Sequence, residues 1–256
     1  IVLLFITGKI YKYVRIFQYR RRVLMSDIIY FLHHSGFIYE NETSLLVFDF
    51  YKDPENRLET LLKDSKKKLY FFVSHYHADH FNRDIRRWEE RAEAYIMHKN
   101  CWLTMDREEK KHLMVPGDTL TIGDLTVTMY GSTDEGGSFL VKSGGKTIFH
   151  AGDLNWWHWA GEPAADNLAA RRDFFHELSR FSERQVDVAF FPVDARQQAA
   201  REWGVMAYLE RVEPKLLVAM HAFGKRWLPS YEFLWHYPEQ KLWIPEKDGD
   251  VKETES

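Results

Sequence analysis

The chain has 256 residues, 45% hydrophobic and 16% aromatic, enough to enclose a large core and too apolar for wholesale disorder. Its 35 basic and 38 acidic residues leave a net charge of −3, which argues against a dedicated nucleic-acid binder. A single cysteine, Cys101, excludes an internal disulfide framework and a cysteine-built zinc site, and fits a reducing compartment such as the cytoplasm.

Residues 1–24 carry Lys9, Lys12, Arg15, Arg20, Arg21 and Arg22 and no acid, a charge of +6 that leaves −9 on the rest. The apolar run at 1–6 is too short for a signal-peptide core, and no small-residue cleavage site follows it. Met25 precedes the first clean strand pattern and is read as the biological start. Residues 1–24 therefore read as a basic extension, with a membrane-surface anchor as the competing reading. No apolar run approaches the roughly 20 residues of a membrane span.

From Asp27 onward, short β-rich runs come first, at 28–32, 37–39 and 45–50. A helix-like stretch at 57–62 leads to the fully apolar run 69–73, which ends in a loop crowded with histidines. Residues 82–93 read as a helix with Asn82 as its N-cap, and 94–97 as a short strand. Pro116-Gly117-Asp118 marks a turn. Strands resume at 119–122, 125–130, 139–141 and 147–149. An amphipathic segment at 167–182 then precedes strand 186–191, helix 200–211 and strand 215–220. Antiparallel strands followed by helix–strand alternation predict an α+β fold of four layers, two mixed sheets with helices outside. With no repeat and no linker composition, residues 25–245 read as one domain and 246–256 as a polar tail that should fray.

The strongest chemical signal is His75-Tyr76-His77-Ala78-Asp79-His80, directly after a buried strand. Imidazoles and a carboxylate suit zinc and similar divalent ions. Histidines two apart on an extended loop point to one side, while Asp79 and His80 turn toward a second point. Two ions about 3.5–4 Å apart can then share a water. His150-Ala151-Gly152-Asp153 follows the apolar run 147–149 and puts a carboxylate at a strand end, where it can lie between two ions. His221 closes the apolar run 216–220 in the same way.

This HxHxDH motif, the strand-end Gly-Asp and the strand-end His together resemble the metallo-β-lactamase-fold hydrolase superfamily. Phe31-Leu32-His33-His34-Ser35-Gly36-Phe37, the run 147–153 (TIFHAGD) and Ala219-Met220-His221 are similar to its ascorbate-6-phosphate lactonase-like branch. The resemblance spans roughly residues 27–228. It implies an αββα sandwich with a metal centre at one edge of the two sheets. It also implies zinc, with manganese or iron as other choices, as one or two ions. The activity implied is attack of a metal-activated hydroxide on an ester, lactone, amide or phosphodiester. Position by position, His75 and His77 match ligands of a first ion; Asp79, His80 and His221 match those of a second. Asp153 matches a bridging carboxylate, and Asp79 would also orient or deprotonate the attacking water. The third first-site histidine expected after the strand 125–130 is missing. Asp134 is the favoured replacement; the alternatives are a weak or empty first site, or a residue from elsewhere such as His158 or His112.

Around this set, Trp156, Trp157 and His158 follow Asp153 and are expected to wall a substrate pocket, against the plainer reading of a loop folded back on its own aromatics. His34 and His150 are candidates for supporting a ligand from behind. His33 should face away from His34 on a strand. Lys225 and Arg226, and likewise Arg196, are candidates to bind an anionic substrate group. The leading function is a metal-dependent hydrolase of a small molecule. A phosphodiesterase or nuclease is the alternative enzyme, disfavoured by the charge of −9 on the catalytic body. A redox di-iron role is disfavoured because such proteins place a glutamate where His77 stands. A metal-binding regulatory module with weak or no catalysis is the reading from a different class.

Overall fold

The computed structural model describes residues 26–254, preceded by a short antiparallel pair, β1 (Phe5–Ile6) and β2 (Lys9–Ile10). The proposed start at Met25 and most of the basic extension lie outside the described residues.

In the first hundred residues, tight connections between apolar runs force neighbours to pair antiparallel: β3 (Ile28–His33), β4 (Gly36–Glu40) and β5 (Ser44–Phe48). Asn41 holds the second turn, its side-chain oxygen accepting from the backbone of Thr43 and Ser44 at 2.9 and 2.7 Å. Helix α1 (Arg57–Asp64) then makes the longer crossover that a parallel neighbour needs. It leads to β6 (Lys68–Val73), with β7 (Ala92–His98) and β8 (Lys111–Met114) continuing in parallel. The second sheet repeats the plan. β9 (Thr119–Ile122), β10 (Leu125–Tyr130), β11 (Ser138–Ser143) and β12 (Lys146–His150) form an antiparallel meander. β13 (Gln185–Pro192), β14 (Glu213–Met220) and β15 (Leu242–Trp243) follow in parallel. Helices α2 (Ala164–Arg180), α3 (Trp203–Leu209) and α4 (Tyr231–His236) make their crossovers.

The two seven-stranded sheets run β16-β3-β4-β5-β6-β7-β8 and β15-β14-β13-β12-β11-β10-β9, where β16 is Val251–Glu253. Phe37, Phe48, Phe72 and Ile96 of the first meet Val127, Phe139, Phe149 and Phe190 of the second in one buried cluster, which Phe174 and Tyr208 extend under α2 and α3. On the first sheet's other face, Val47, Phe71 and Tyr95 pack with Leu58, Ile85 and Trp88. These are the four layers that the order of elements predicts. No described helix is long and apolar enough to cross a membrane.

Three expectations change. The helix expected at 82–93 is a 3-10 segment over Arg83–Trp88; Asn82 does cap it, accepting from Asp84 N at 2.9 Å. Its two buried anchors, Ile85 and Trp88, are three residues apart, which suits a three-residue turn, and Ala92 already belongs to a strand. The helix expected at 200–211 shortens to α3, after a 3-10 turn at Ala195–Ala200. The tail expected to fray instead adds β16 to the edge of β3. Phe31 N donates to Asp250 O at 2.9 Å, and His33 Nδ1 meets Asp248 Oδ1 at 3.0 Å. Backbone pairing needs no apolar side chains, so composition gave no sign of it.

Candidate metal centre

The loops that carry the candidate ligands leave the carboxyl ends of strands from both sheets, the edge at which α/β sheets place their ligands. His75 to His80 follow β6, Asp153 follows β12, and His221 follows β14. His34 sits in the turn between β3 and β4. His34 and His221 both adopt left-handed backbone, with φ of 57° and 61°, and His221 N donates to His34 O at 3.3 Å, joining the two sheets there. Non-glycine residues in this region cost of the order of 1–3 kcal/mol and cluster at functional sites.

Two sets of ligand atoms converge: His34, Asp79, His80 and His221 in one, His75, His77 and Asp153 in the other, with the atoms of each set within 4.8 Å of one another. His80 Nε2 and His221 Nε2 lie 3.2 and 3.3 Å from Asp153 Oδ1, and His75 Nε2 lies 3.5 Å from Asp153 Oδ2. Despite these distances, His34 Nε2, His75 Nε2, His80 Nε2 and Asp153 Oδ1 are buried without a hydrogen-bond partner. Each such atom costs roughly 1–3 kcal/mol when left unsatisfied. A divalent cation satisfies them together, so the residues fit a metal centre. Burial would lower the His80 pKa, but Asp153 and Asp49 push it up to about 10. Asp153 is held well below the usual carboxylate range, against its burial, by His80 and His221. The pocket is built to hold positive charge. Burial brings His75 down to about 4 and His34 to about 2, so both present lone pairs at neutral pH.

Behind the ligands stands a second carboxylate. Asp49 closes β5, is fully buried, and accepts from His80 Nδ1 at 2.8 Å, from Ser74 N at 2.8 Å and from Ser74 Oγ at 2.7 Å. Ser74 Oγ in turn accepts from His75 Nδ1 at 2.9 Å. The rear nitrogens of His75 and His80 therefore carry protons and their front nitrogens face the site; that of His75 has a lone pair, and that of His80 would give up its proton to a cation. Asp194, after β13, stands 3.3 Å from His221 Nδ1, close enough for charge pairing but without a hydrogen bond.

No protein-family model matches the chain. It is 25% identical over 210 residues, 75% of its length and 83% of the relative's, to a UPF0173 metal-dependent hydrolase of Carboxydothermus hydrogenoformans. Among solved structures it superposes on Igni18, a metallo hydrolase of the archaeon Ignicoccus hospitalis, with a TM-score of 0.57 at 15% identity, covering 90% of this chain and 99% of that one. The metallo-β-lactamase fold protein YhfI of Bacillus subtilis gives 0.55 at 15% identity, with the same coverage. The chain has the metallo-β-lactamase fold.

The metallo-β-lactamase fold opens here into a cleft of about 360 Å³ that includes His77, Asp79, Asp134, Asp153 and His221. A larger cavity of about 660 Å³ lies at the opposite ends of the strands, among Lys146, Asp187 and Lys215, with no converging ligand set there among the described residues. Asp134 stands in the cleft with Oδ2 3.7 Å from His77 Nδ1, outside the His75–His77–Asp153 set; its pKa is raised by burial and then by Asp153. His112 belongs to β8, and neither it nor His158 lines the cleft. His34 is closer to the chemistry than a supporting role implies, because its Nε2 falls within a ligand set. His33 turns away to Asp248. His150 packs flat on Phe48, with Nε2 donating to Ser35 O at 2.9 Å and Nδ1 accepting from Gly152 N at 3.2 Å, which leaves it no free nitrogen.

The tryptophan loop divides. Trp157 and Trp159 stack in the cleft wall, with Trp157 Nε1 donating to Asp153 O at 2.9 Å, whereas Trp156 and His158 turn to a neighbouring cavity and pack on Trp203. Lys225 is exposed and outside the cleft, and Arg226 is paired with Glu246. Asp49, Asp194, Thr133 and Phe223 were missed by sequence reading. Asp49 and Asp194 carried a usable signal, each a carboxylate closing an apolar run, 45–48 and 188–193, as Asp153 closes its own.

Proposed function

We propose that the protein is a metal-dependent hydrolase of a small molecule, with zinc as the preferred ion and manganese or iron as other occupants. The observation that carries this reading is the convergence of the buried, unpartnered Nε2 atoms of His75 and His80 on the Asp153 carboxylate. His75, His77 and Asp153 would hold one ion, and His34, Asp79, His80 and His221 a second, with Asp153 close to both. Three protein ligands leave an open position, as a catalytic zinc requires. When bound, such ions polarise a scissile carbonyl or phosphoryl group and lower the pKa of a water to about 7. Asp79 lies 3.5 Å from His34 Nε2 with about a third of its side chain open to the cleft, placed to accept a proton from an attacking water. Trp157 and Trp159 give the cleft one apolar wall. The runs 31–37 and 147–153 support a likeness to the ascorbate-6-phosphate lactonase-like branch of the superfamily.

The test is elemental analysis of the purified chain with turnover on a panel of chromogenic esters, lactones and phosphodiesters. We expect stoichiometric divalent metal, most of it lost in His80→Ala, together with hydrolysis of at least one substrate class. No stoichiometric metal after reconstitution would overturn the reading. Bound metal without turnover would favour the regulatory module, a reading that the position of Asp134 outside the ligand set keeps in play.

A further inference from the structure

Arg196 is the one lysine or arginine that lines the cleft among the described residues. The Asp194 carboxylate, itself fully buried, accepts from the Arg196 backbone N–H at 2.8 Å, from Nε at 2.9 Å and from Nη2 at 2.6 Å. These bonds fix one edge of the guanidinium. Phe223 lies 3.5 Å from Cζ and Trp159 5.5 Å, so its plane is held as well. Nη1 has no hydrogen-bond partner among the described residues, and the side chain is 46% exposed.

A guanidinium held this way loses little freedom on binding, and its planar donors match carboxylate and phosphate oxygens. Neutralising Asp194 needs only the edge already used, which leaves Nη1 without a structural task. We propose that Arg196 binds an oxyanion, a carboxylate or a phosphate, carried by the substrate beside the bond to be cleaved, and so selects anionic small molecules. The inference deepens the hydrolase reading and rests on it for the identity of the cleft.

Isothermal titration of the full chain, with metal content measured in each sample, tests this without turnover. The probes are benzoate, phenylphosphonate and the neutral isostere benzamide. In the wild type, at least one anion is expected to bind about tenfold or more tighter than benzamide; which one gains more distinguishes a carboxylate from a phosphate site. Arg196→Gln should abolish that preference at unchanged metal content, and Arg196→Lys, which keeps charge but not the fork, should retain part of it. Anion affinity unchanged in Arg196→Gln would assign the anion to the metal ions alone and overturn the inference. So would a wild type without preference for the anions, or a variant in which metal and all probe affinities fall together, since Arg196 would then act only through Asp194 and His221. A chain without metal that still shows the Arg196-dependent preference would sink the hydrolase reading and leave the anion site standing.

Discussion

Each buried imidazole of the centre has two nitrogens with different tasks, and the rear one decides what the front one can do. Asp49 sets this for His80 directly and for His75 through Ser74. Asp49→Asn keeps the shape but removes the charge and one acceptor from a fully buried position. The metal affinity of Asp49→Asn is expected to fall roughly 10- to 100-fold, the usual cost of losing a partner behind a ligand. Competition with a chromophoric chelator measures it; wild-type affinity would show that the imidazoles are oriented by packing alone.

At the level of elements, the site depends on loops that approach closer than side chains normally allow. Gly136, between β10 and β11, has φ of 74°, and a Cβ there would lie 2.0 Å from Ser74 O and 2.6 Å from His75 Cβ. Gly145, in the next turn, has a similar φ of 78° with nothing within 4 Å. The pair separates backbone strain from crowding. Gly145→Ala should cost about 1 kcal/mol, the strain alone. Gly136→Ala must also move the loop or His75, so it is expected to cost about 3 kcal/mol and to lower metal content. Urea midpoints with metal analysis compare them. Equal losses in the two variants would mean that the 131–137 loop yields without disturbing the ligands.

On the scale of the whole molecule, the centre lies across both sheets: His34 and the 75–80 loop come from one, Asp153 and His221 from the other. A bound ion therefore adds a tie between two layers that meet through their apolar faces and a few hydrogen bonds, such as His221 N to His34 O and His150 Nε2 to Ser35 O. Metal present at a thousandfold over its dissociation constant adds about 4 kcal/mol to the folded state. Chelation is expected to lower the thermal midpoint by about 10 °C, at the 2–4 °C per kcal/mol typical of a chain this size, and returned zinc should restore it. An unchanged midpoint in scanning calorimetry would place the metal, if bound, off the folding interface.

The sequence by itself determined the layered α+β plan, the apolar strands 69–73 and 215–220, and the strand-end positions of His75, Asp153 and His221. These follow from local rules, periodicity and the punctuation of apolar runs by polar residues, and local rules are written in consecutive residues. The tertiary structure alone decided the pairing of β16 with β3, because its bonds run between backbones and leave no mark in composition. It also decided that His34 joins a ligand set, that Trp157 and Trp156 part to different cavities, and that Lys225 stays outside while Arg196 enters the cleft. Those outcomes depend on left-handed turns at His34 and His221 and on loops from two sheets meeting at one edge, contacts between residues far apart in the chain that no window of neighbours encodes.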